Sequence, residues 1–395
     1  MPFGSEGLEA GIGLALSGGG FRATLFHCGT LWRLNELGYL AKLSRVSSVS
    51  GGSITTGQLA SRWRNLKFSN GVAANLSDEV ILPLRRFCER SIDGPSILEG
   101  ILLPGRSASD VLSKEYEDHL LGNATLQDLP DQPDSPRFIF NSTNLSTGVD
   151  FRFSKPYAGD YRIGLIQRPT FRLSLAVAAS SAFPPFLSPV VLAPKPEAFT
   201  RTEGADLYDT VSYRERLALT DGGAYDNLGL ETVWKRLQTI LVSDAGAPFG
   251  YAPAQERDWF RQSLRVLDIT TNQARGLRKR VLIDLWQAGK RTGTYWGIMT
   301  PIARYQATKA LPVPASVTDQ LARVRTRLNP FTEAEQCSLI NWGYAVCDAA
   351  MRAHVVPAAA PPPGWPYPAY ALDKPLNQNV KIEATTDLAE PVQAP

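Results

Sequence analysis

Two consecutive strand-glycine-helix units near the start of the chain constrain the fold more than any other feature. Residues 12–16 form a short apolar run that ends in Ser17-Gly18-Gly19-Gly20-Phe21-Arg22. Leu25, Leu31, Leu34 and Leu37 then give a helix its apolar face, and Gly38 stops it. Residues 43–49 read as the next strand, closed by Ser48-Val49-Ser50-Gly51-Gly52, and a second helix follows over 53–63. Strand, tight turn and helix repeated in succession argue for parallel strands joined by helical crossovers. In such sheets functional groups gather beyond the carboxyl ends of the strands, where both glycine motifs fall. Asp221-Gly222-Gly223 also follows an apolar run, over 216–220, so a hydroxyl and a carboxylate are expected at one sheet edge.

Between these landmarks the pattern loosens. Residues 65–136 read as helical stretches, clearest over 77–92 and interrupted by Pro83, Pro95 and Pro104, in an excursion that covers the site. Residues 137–141 and 150–154 read as strands around a polar turn at 144–148, and 174–181 as a small-residue helix. A helix is expected over 228–237 and a strand over 239–242. Beyond residue 254 the pattern is helical over 255–287, 316–328 and 332–352, before a Pro/Ala-rich stretch at 357–368.

Composition removes several classes. A chain of 395 residues with 44% hydrophobic content buries a sizeable core, and a net charge of +3 gives no electrostatic footprint for nucleic acid. Residues 1–13 lack a basic region followed by a long apolar one, and no run approaches about 18 apolar residues, so a cytoplasmic protein is expected. Cys28, Cys88, Cys337 and Cys347 are scattered, with no C-x-x-C pair or His cluster, so free thiols and no metal or other cofactor are expected. The basic stretch 275–291 interleaves Leu277, Val281, Leu282, Leu285 and Trp286. It reads as a helix docked by its apolar face, or as one lying on a membrane surface.

A serine hydroxyl needs a base to hold its proton and small neighbours to present it. Gly51 and Gly52 meet the second need after Ser50, although Ser48 stands where the G-x-S-x-G elbow pattern has its first glycine. None of His27, His119 and His354 lies in a motif, so Asp221 is the better candidate for the base. Gly18-x-Gly20-x-x-Ala23 looks like a dinucleotide fingerprint, but the second strand ends in serines rather than an acidic residue, and no P-loop run exists. The functional reading left for the triplet is an oxyanion hole built from the backbone of Gly18, Gly19 and Gly20, with Arg22 bracing the loop or attracting a phosphate head group.

At these residues the sequence resembles the patatin-like phospholipases. The matching blocks are residues 17–22, 48–53, Ala179-Ser180-Ser181-Ala182-Phe183-Pro184-Pro185-Phe186 and Asp221-Gly222-Gly223. The resemblance implies a three-layer α/β/α fold with a mostly parallel central sheet and added C-terminal helices. It also implies calcium-independent hydrolysis of acyl esters, with Ser50 as nucleophile, Asp221 as base and the three glycines as oxyanion donors; Pro184, Pro185 and Phe186 would shape an acyl channel or the turn beside it. The expected division is a catalytic domain over residues 8–310 (motif-bearing core about 10–245), a helical extension over 311–355 packed on it, and an extended or disordered tail over 356–395. The expected substrate is a phospholipid or another acyl-ester lipid, met with peripheral membrane contact through 275–291 or the apolar Ile97, Leu98, Ile101, Leu102 and Leu103. A non-lipid serine esterase, an acyltransferase and a non-catalytic lipid-binding protein stay open as alternatives.

Overall fold

The computed structural model describes residues 7–92, 94, 107–184, 187–251 and 258–376. The apolar segment 96–104, Pro185, Phe186 and the chain beyond 376 lie outside the described residues. Eleven strands form one mixed sheet: β1 (Glu9–Leu16), β2 (Leu43–Ser48), β3 (Arg137–Asn144), β4 (Val149–Phe153), β5 (Tyr157–Asp160), β6 (Gly164–Gln167), β7 (Val190–Leu192), β8 (Phe199–Thr200), β9 (Leu217–Asp221), β10 (Leu237–Asp244) and β11 (Thr292–Gly297). The helices of eight or more residues are α1 (Gly20–Glu36), α2 (Gly51–Arg62), α3 (Ala108–Tyr116), α4 (Leu173–Ser181), α5 (Trp259–Gln287), α6 (Ala315–Ala322) and α7 (Glu333–His354).

The centre of the sheet runs β3-β2-β1-β10-β11, all parallel. Leu14, Ala15, Leu16, Val46, Ile240, Leu241 and Val242 are fully buried there, as expected for strands covered by helices on both faces. From β3 an antiparallel wing extends through β4, β5, β6 and β8.

One irregularity positions the site. β3 pairs with β2 only through Phe140, opposite Ser48, and from Ser142 onward with β9, which runs the other way. β9 takes over the edge of β3 that β2 leaves, with Asp221 opposite Ser142. The carboxyl ends of β2 and β9 therefore meet head to head. The sequence places Ser50 and Asp221 at one sheet edge; the structure adds that they arrive from opposite directions.

α7 is buried from Glu335 to Arg352 and lies against α1. The crossing is a backbone contact: a Cβ at Gly29 would meet Ile340 O at 1.9 Å, and one at Gly343 would meet Phe26 O at 1.9 Å. Asp348, fully buried, pairs with both Arg33 and Arg352 at 2.8 and 2.7 Å, so each charge in the interface has its counter-charge.

Several elements differ from their sequence reading. The helix expected over 228–237 is one turn, Glu231–Trp234, because Leu237 joins the sheet opposite Glu9. The helix expected over 316–328 stops at Ala322. The described parts of the 65–136 excursion are core rather than cover, with Val80, Ile81, Leu84, Phe87, Leu112 and Tyr116 buried. Residues 357–376 are docked: the Asn341 amide donates to Tyr367 O and Tyr370 O, accepts from Tyr367 N–H, and Leu372 is fully buried. No described helix is long and apolar enough to cross a membrane.

Gly343→Ala separates two opposed effects. Helix propensity alone would stabilise it by about 1 kcal/mol, whereas a methyl against Phe26 O forces the helices apart at a cost of about 1–3 kcal/mol. The expected result is a lower denaturation midpoint; an unchanged or higher one would refute the backbone contact.

Candidate active site

Ser50 joins β2 to α2 with φ 52° and ψ −121°. A non-glycine residue held there stores on the order of 1–3 kcal/mol of strain, so the surroundings must enforce it. They do so by close packing: a Cβ on Gly51 would lie 2.1 Å from Gly20 O, and one on Gly52 would lie 2.5 Å from Leu16 O. The elbow thus rests on the backbone of the glycine loop. Ser48, the departure from the elbow pattern, uses its hydroxyl, which donates to Ile139 O at 3.1 Å and accepts from Ser53 Oγ at 3.0 Å.

Ser180, on α4, ties the Ser50 turn to the Asp221 turn. Its carbonyl accepts from Ser50 N–H and from Gly222 N–H, both at 3.2 Å. Its hydroxyl donates to Asn141 O at 2.6 Å and accepts from Ser50 N–H at 3.1 Å. Asn141 lies on β3 between the two strand ends, and its amide donates to Ser48 O at 2.9 Å. Asp221 N–H donates to Ala182 O, and Thr143 Oγ1 donates to Asp221 O, both at 3.0 Å.

The Asp221 carboxylate is buried, and burial pushes its pKa up to about 6, against the lowering effects of Gly223 N–H and the neighbouring Ser50 hydroxyl. Oδ1 accepts from Gly223 N–H at 2.7 Å, while Oδ2 has no partner in hydrogen-bonding geometry. Oδ2 is thus an open acceptor beside the Ser50 hydroxyl.

In the glycine loop the three N–H groups are not equivalent. Gly18 N–H donates to Asn227 O at 3.0 Å and is therefore occupied, contrary to its expected role as an oxyanion donor. Gly19 N–H and Gly20 N–H bond to no described group. The loop lies against Ser50, since a Cβ on Gly18 would come within 3.1 Å of Ser50 Cβ. Arg22 braces the loop from beneath: Nη1 donates to Val324 O at 2.6 Å, and Nε and Nη2 donate to Ala245 O at 3.2 and 3.0 Å. Its complete burial, which with Arg275 lowers its pKa to about 9, excludes the head-group role.

No histidine bonds to Ser50 or Asp221 among the described residues. His27 is fully buried between Ser17 and Ser243, His119 lies by Glu115 and Arg90, and His354 lies edge-on to Tyr305. The four cysteines are buried free thiols, and no group of three or more metal-ligating side chains occurs among the described residues. Sequence reading missed Asn141, Ser180 and Asn227. Ser180 had a signal, because its block was noted as a signature; the other two become visible only when strand ends and loop are brought together.

A mixed α/β/α architecture with a serine elbow, a glycine loop and an Asp-Gly-Gly turn at one edge is now defined. Residues 14–234, more than half of the chain, match the family model described as patatin-like phospholipase. The chain belongs to that family. Among solved structures it is similar to human GIVD cytosolic phospholipase A2 in complex with methyl gamma-linolenyl fluorophosphonate, with a TM-score of 0.50 and 14% identity over 86% of this chain and 57% of that one. It is also similar to VipD from Legionella pneumophila, with a TM-score of 0.36 and 14% identity over 87% and 66% of the two chains. The chain thus spans 57% of the human structure's length, and the likeness to that structure is one of fold. No curated protein matches the sequence.

The raised pKa of Asp221 has a sign for stability. The folded state holds this proton more tightly than an unfolded aspartate with its ordinary pKa near 3.9. Folding is therefore not penalised below the unfolded value, and the penalty grows through the window up to about 6, above which it is complete. Asp221→Asn should stabilise the fold at pH 7–8 by at most roughly 2–3 kcal/mol, read as a raised melting temperature, with the gain shrinking toward pH 4. A gain independent of pH would refute the buried-carboxylate assignment.

Proposed function

We propose that the protein is a serine lipid acyl hydrolase, of phospholipase A or lysophospholipase type, working through Ser50 and Asp221. The observation that carries this reading is the head-to-head meeting of β2 and β9, which puts a strained serine and a carboxylate with an open oxygen on either side of one carbonyl, Ser180 O. In the first step Ser50 Oγ forms a bond to the ester carbonyl carbon and its proton passes to Asp221 Oδ2. The negative charge on the former carbonyl oxygen is held by Gly19 N–H and Gly20 N–H and by the N-terminal dipole of α2. Collapse expels the alcohol, which takes the proton from Asp221. Water, deprotonated by the same carboxylate, then releases the fatty acid and restores Ser50. A base with a pKa of about 6 is mostly ionised at neutral pH and still accepts a proton in the transition state.

Lipid contact is assigned to the first half of α5. Its second half is fastened beside the site: Arg275 pairs with Asp244 at 2.7 Å, Arg278 with Asp226 at 3.5 Å, and Leu282 is buried. Toward its start large apolar side chains are open, with Trp259 79% exposed and Val266 and Ile269 also exposed. Arg261 and Arg265 lie in this first half with Asp268, and Arg275, Arg278, Lys279 and Arg280 lie in the fastened half. Exposed aromatic and aliphatic groups with arginines between them suit a lipid surface.

Three outcomes test this reading. Fluorophosphonate should label the wild-type protein and not Ser50→Ala, with activity on a nitrophenyl ester falling by several orders of magnitude; full labelling of the variant ends the assignment. The kcat/KM profile should rise with pH about tenfold per unit and level off near pH 6, since Asp221 must be ionised; a flat profile from pH 4 to 8 would refute that base. Ser50→Ala protein should co-sediment with vesicles containing phosphatidylserine, less so with added salt and less still after Trp259→Ser with Ile269→Ser. No binding, alongside good turnover of soluble esters, would make the substrate a non-lipid ester.

A further inference from the structure

Beneath the glycine loop runs a buried hydrogen-bond chain that the proposed reaction does not use. His27 on α1 places Nε2 2.9 Å from Ser17 O and Nδ1 2.9 Å from Ser243 Oγ, at the end of β10. Ser243 Oγ is 3.0 Å from Thr30 Oγ1, which accepts from Trp296 Nε1 at 3.1 Å. His27, Thr30, Ser243 and Trp296 are all fully buried.

The partners fix the direction of every proton. Ser17 O is only an acceptor, so Nε2 carries the hydrogen. The ring is neutral, burial holding its pKa down near 4, so Nδ1 is an acceptor and Ser243 must donate to it. Thr30 therefore donates to Ser243, and the indole, which is only a donor, supplies Thr30. The chain runs one way, from Trp296 through Thr30, Ser243 and His27 to the Ser17 carbonyl.

That carbonyl belongs to the peptide whose N–H is Gly18's, and Gly18 N–H is held by Asn227 O. The Ser17-Gly18 peptide is thus gripped on both sides, by His27 and by Asn227. We propose that His27 is a positioning residue for the oxyanion loop: by fixing the Ser17-Gly18 peptide it aims the next two N–H groups, of Gly19 and Gly20, at the substrate oxygen. It touches neither Ser50 nor Asp221, so it acts on the transition state through the loop and not as a base. This inference rests on the hydrolase reading above for its effect on rate, and on the hydrogen bonds alone for its effect on the loop.

The test compares His27→Phe, which keeps the ring volume and removes both bonds, with His27→Gln, whose amide can still donate to Ser17 O. His27→Phe is expected to lower kcat on a nitrophenyl ester roughly 10²-fold with KM within about twofold, the pattern of misaimed oxyanion donors. It should also speed hydrogen exchange at the Gly18 amide, and His27→Gln should recover at least about a tenth of the wild-type kcat. A folded His27→Phe protein with wild-type kcat, or with unchanged Gly18 exchange, overturns the proposal, as does a His27→Gln protein no better than His27→Phe. If His27→Phe does not fold, Ser243→Ala replaces it: a fall in kcat of about tenfold at constant KM supports the chain, and an unchanged kcat overturns it. Ser50→Ala measured alongside keeps the two readings apart. Activity surviving in that variant sinks the hydrolase reading, and Gly18 exchange in the His27 variants then decides the loop's positioning by itself.

Discussion

The structure depends on one carbonyl. Ser180 O receives the N–H groups of Ser50 and Gly222, the central serine of the elbow and the first residue after Asp221. β2 and β9 approach from opposite directions and share no ladder with each other; β3, which pairs with both, sets their separation. The bridge from α4 ties together the turns beyond them, seconded by Asn141, whose side chain holds the end of β2 and whose carbonyl takes the Ser180 hydroxyl. Two strand ends held by one peptide group move together if they move at all, which keeps a hydroxyl and a carboxylate in register without a direct bond between them.

The same economy governs charge. Asp221 sits buried with an unfilled oxygen, a state that destabilises the fold and raises its proton affinity. Arg22, equally buried, is spent on carbonyls and not on the carboxylate. An arginine paired with Asp221 would have lowered its pKa and filled Oδ2. Among the described residues the Asp221 Oδ2 oxygen is left without a hydrogen-bond partner, as are Asn141 Oδ1 and Ser142 Oγ beside it.

The paired strand-glycine-helix units make the parallel centre of the sheet legible, because apolar runs ending in glycine turns admit few other folds. Ser50, Asp221 and the glycine triplet stand out for the same local reason: small residues beside a reactive side chain. The sequence does not show that β9 runs against β2, since pairing partners are not written in either strand's own pattern. It does not show that Gly18 N–H is occupied, because Asn227 reaches it only after the Asp-Gly-Gly turn has folded back. The stretch 228–237 carries a helical apolar spacing that pairing with β1 overrides, and residues 357–376 have the composition of a loose tail yet dock through backbone bonds to Asn341 that composition cannot reveal.

The glycine loop near the start of the chain is completed by residues some three hundred positions later. Phe21 N–H bonds to Arg327 O, Arg22 to Val324 O, and the Gly29 crossing needs Gly343. During synthesis the elbow, the loop and the Asp-Gly-Gly turn all leave the ribosome well before these supports exist. A nascent chain that already contains the elbow, the loop and the Asp-Gly-Gly turn still lacks one wall around them until α7 has emerged and closed on α1. Order at the glycine loop is thus deferred to residues that are made about three hundred positions after it.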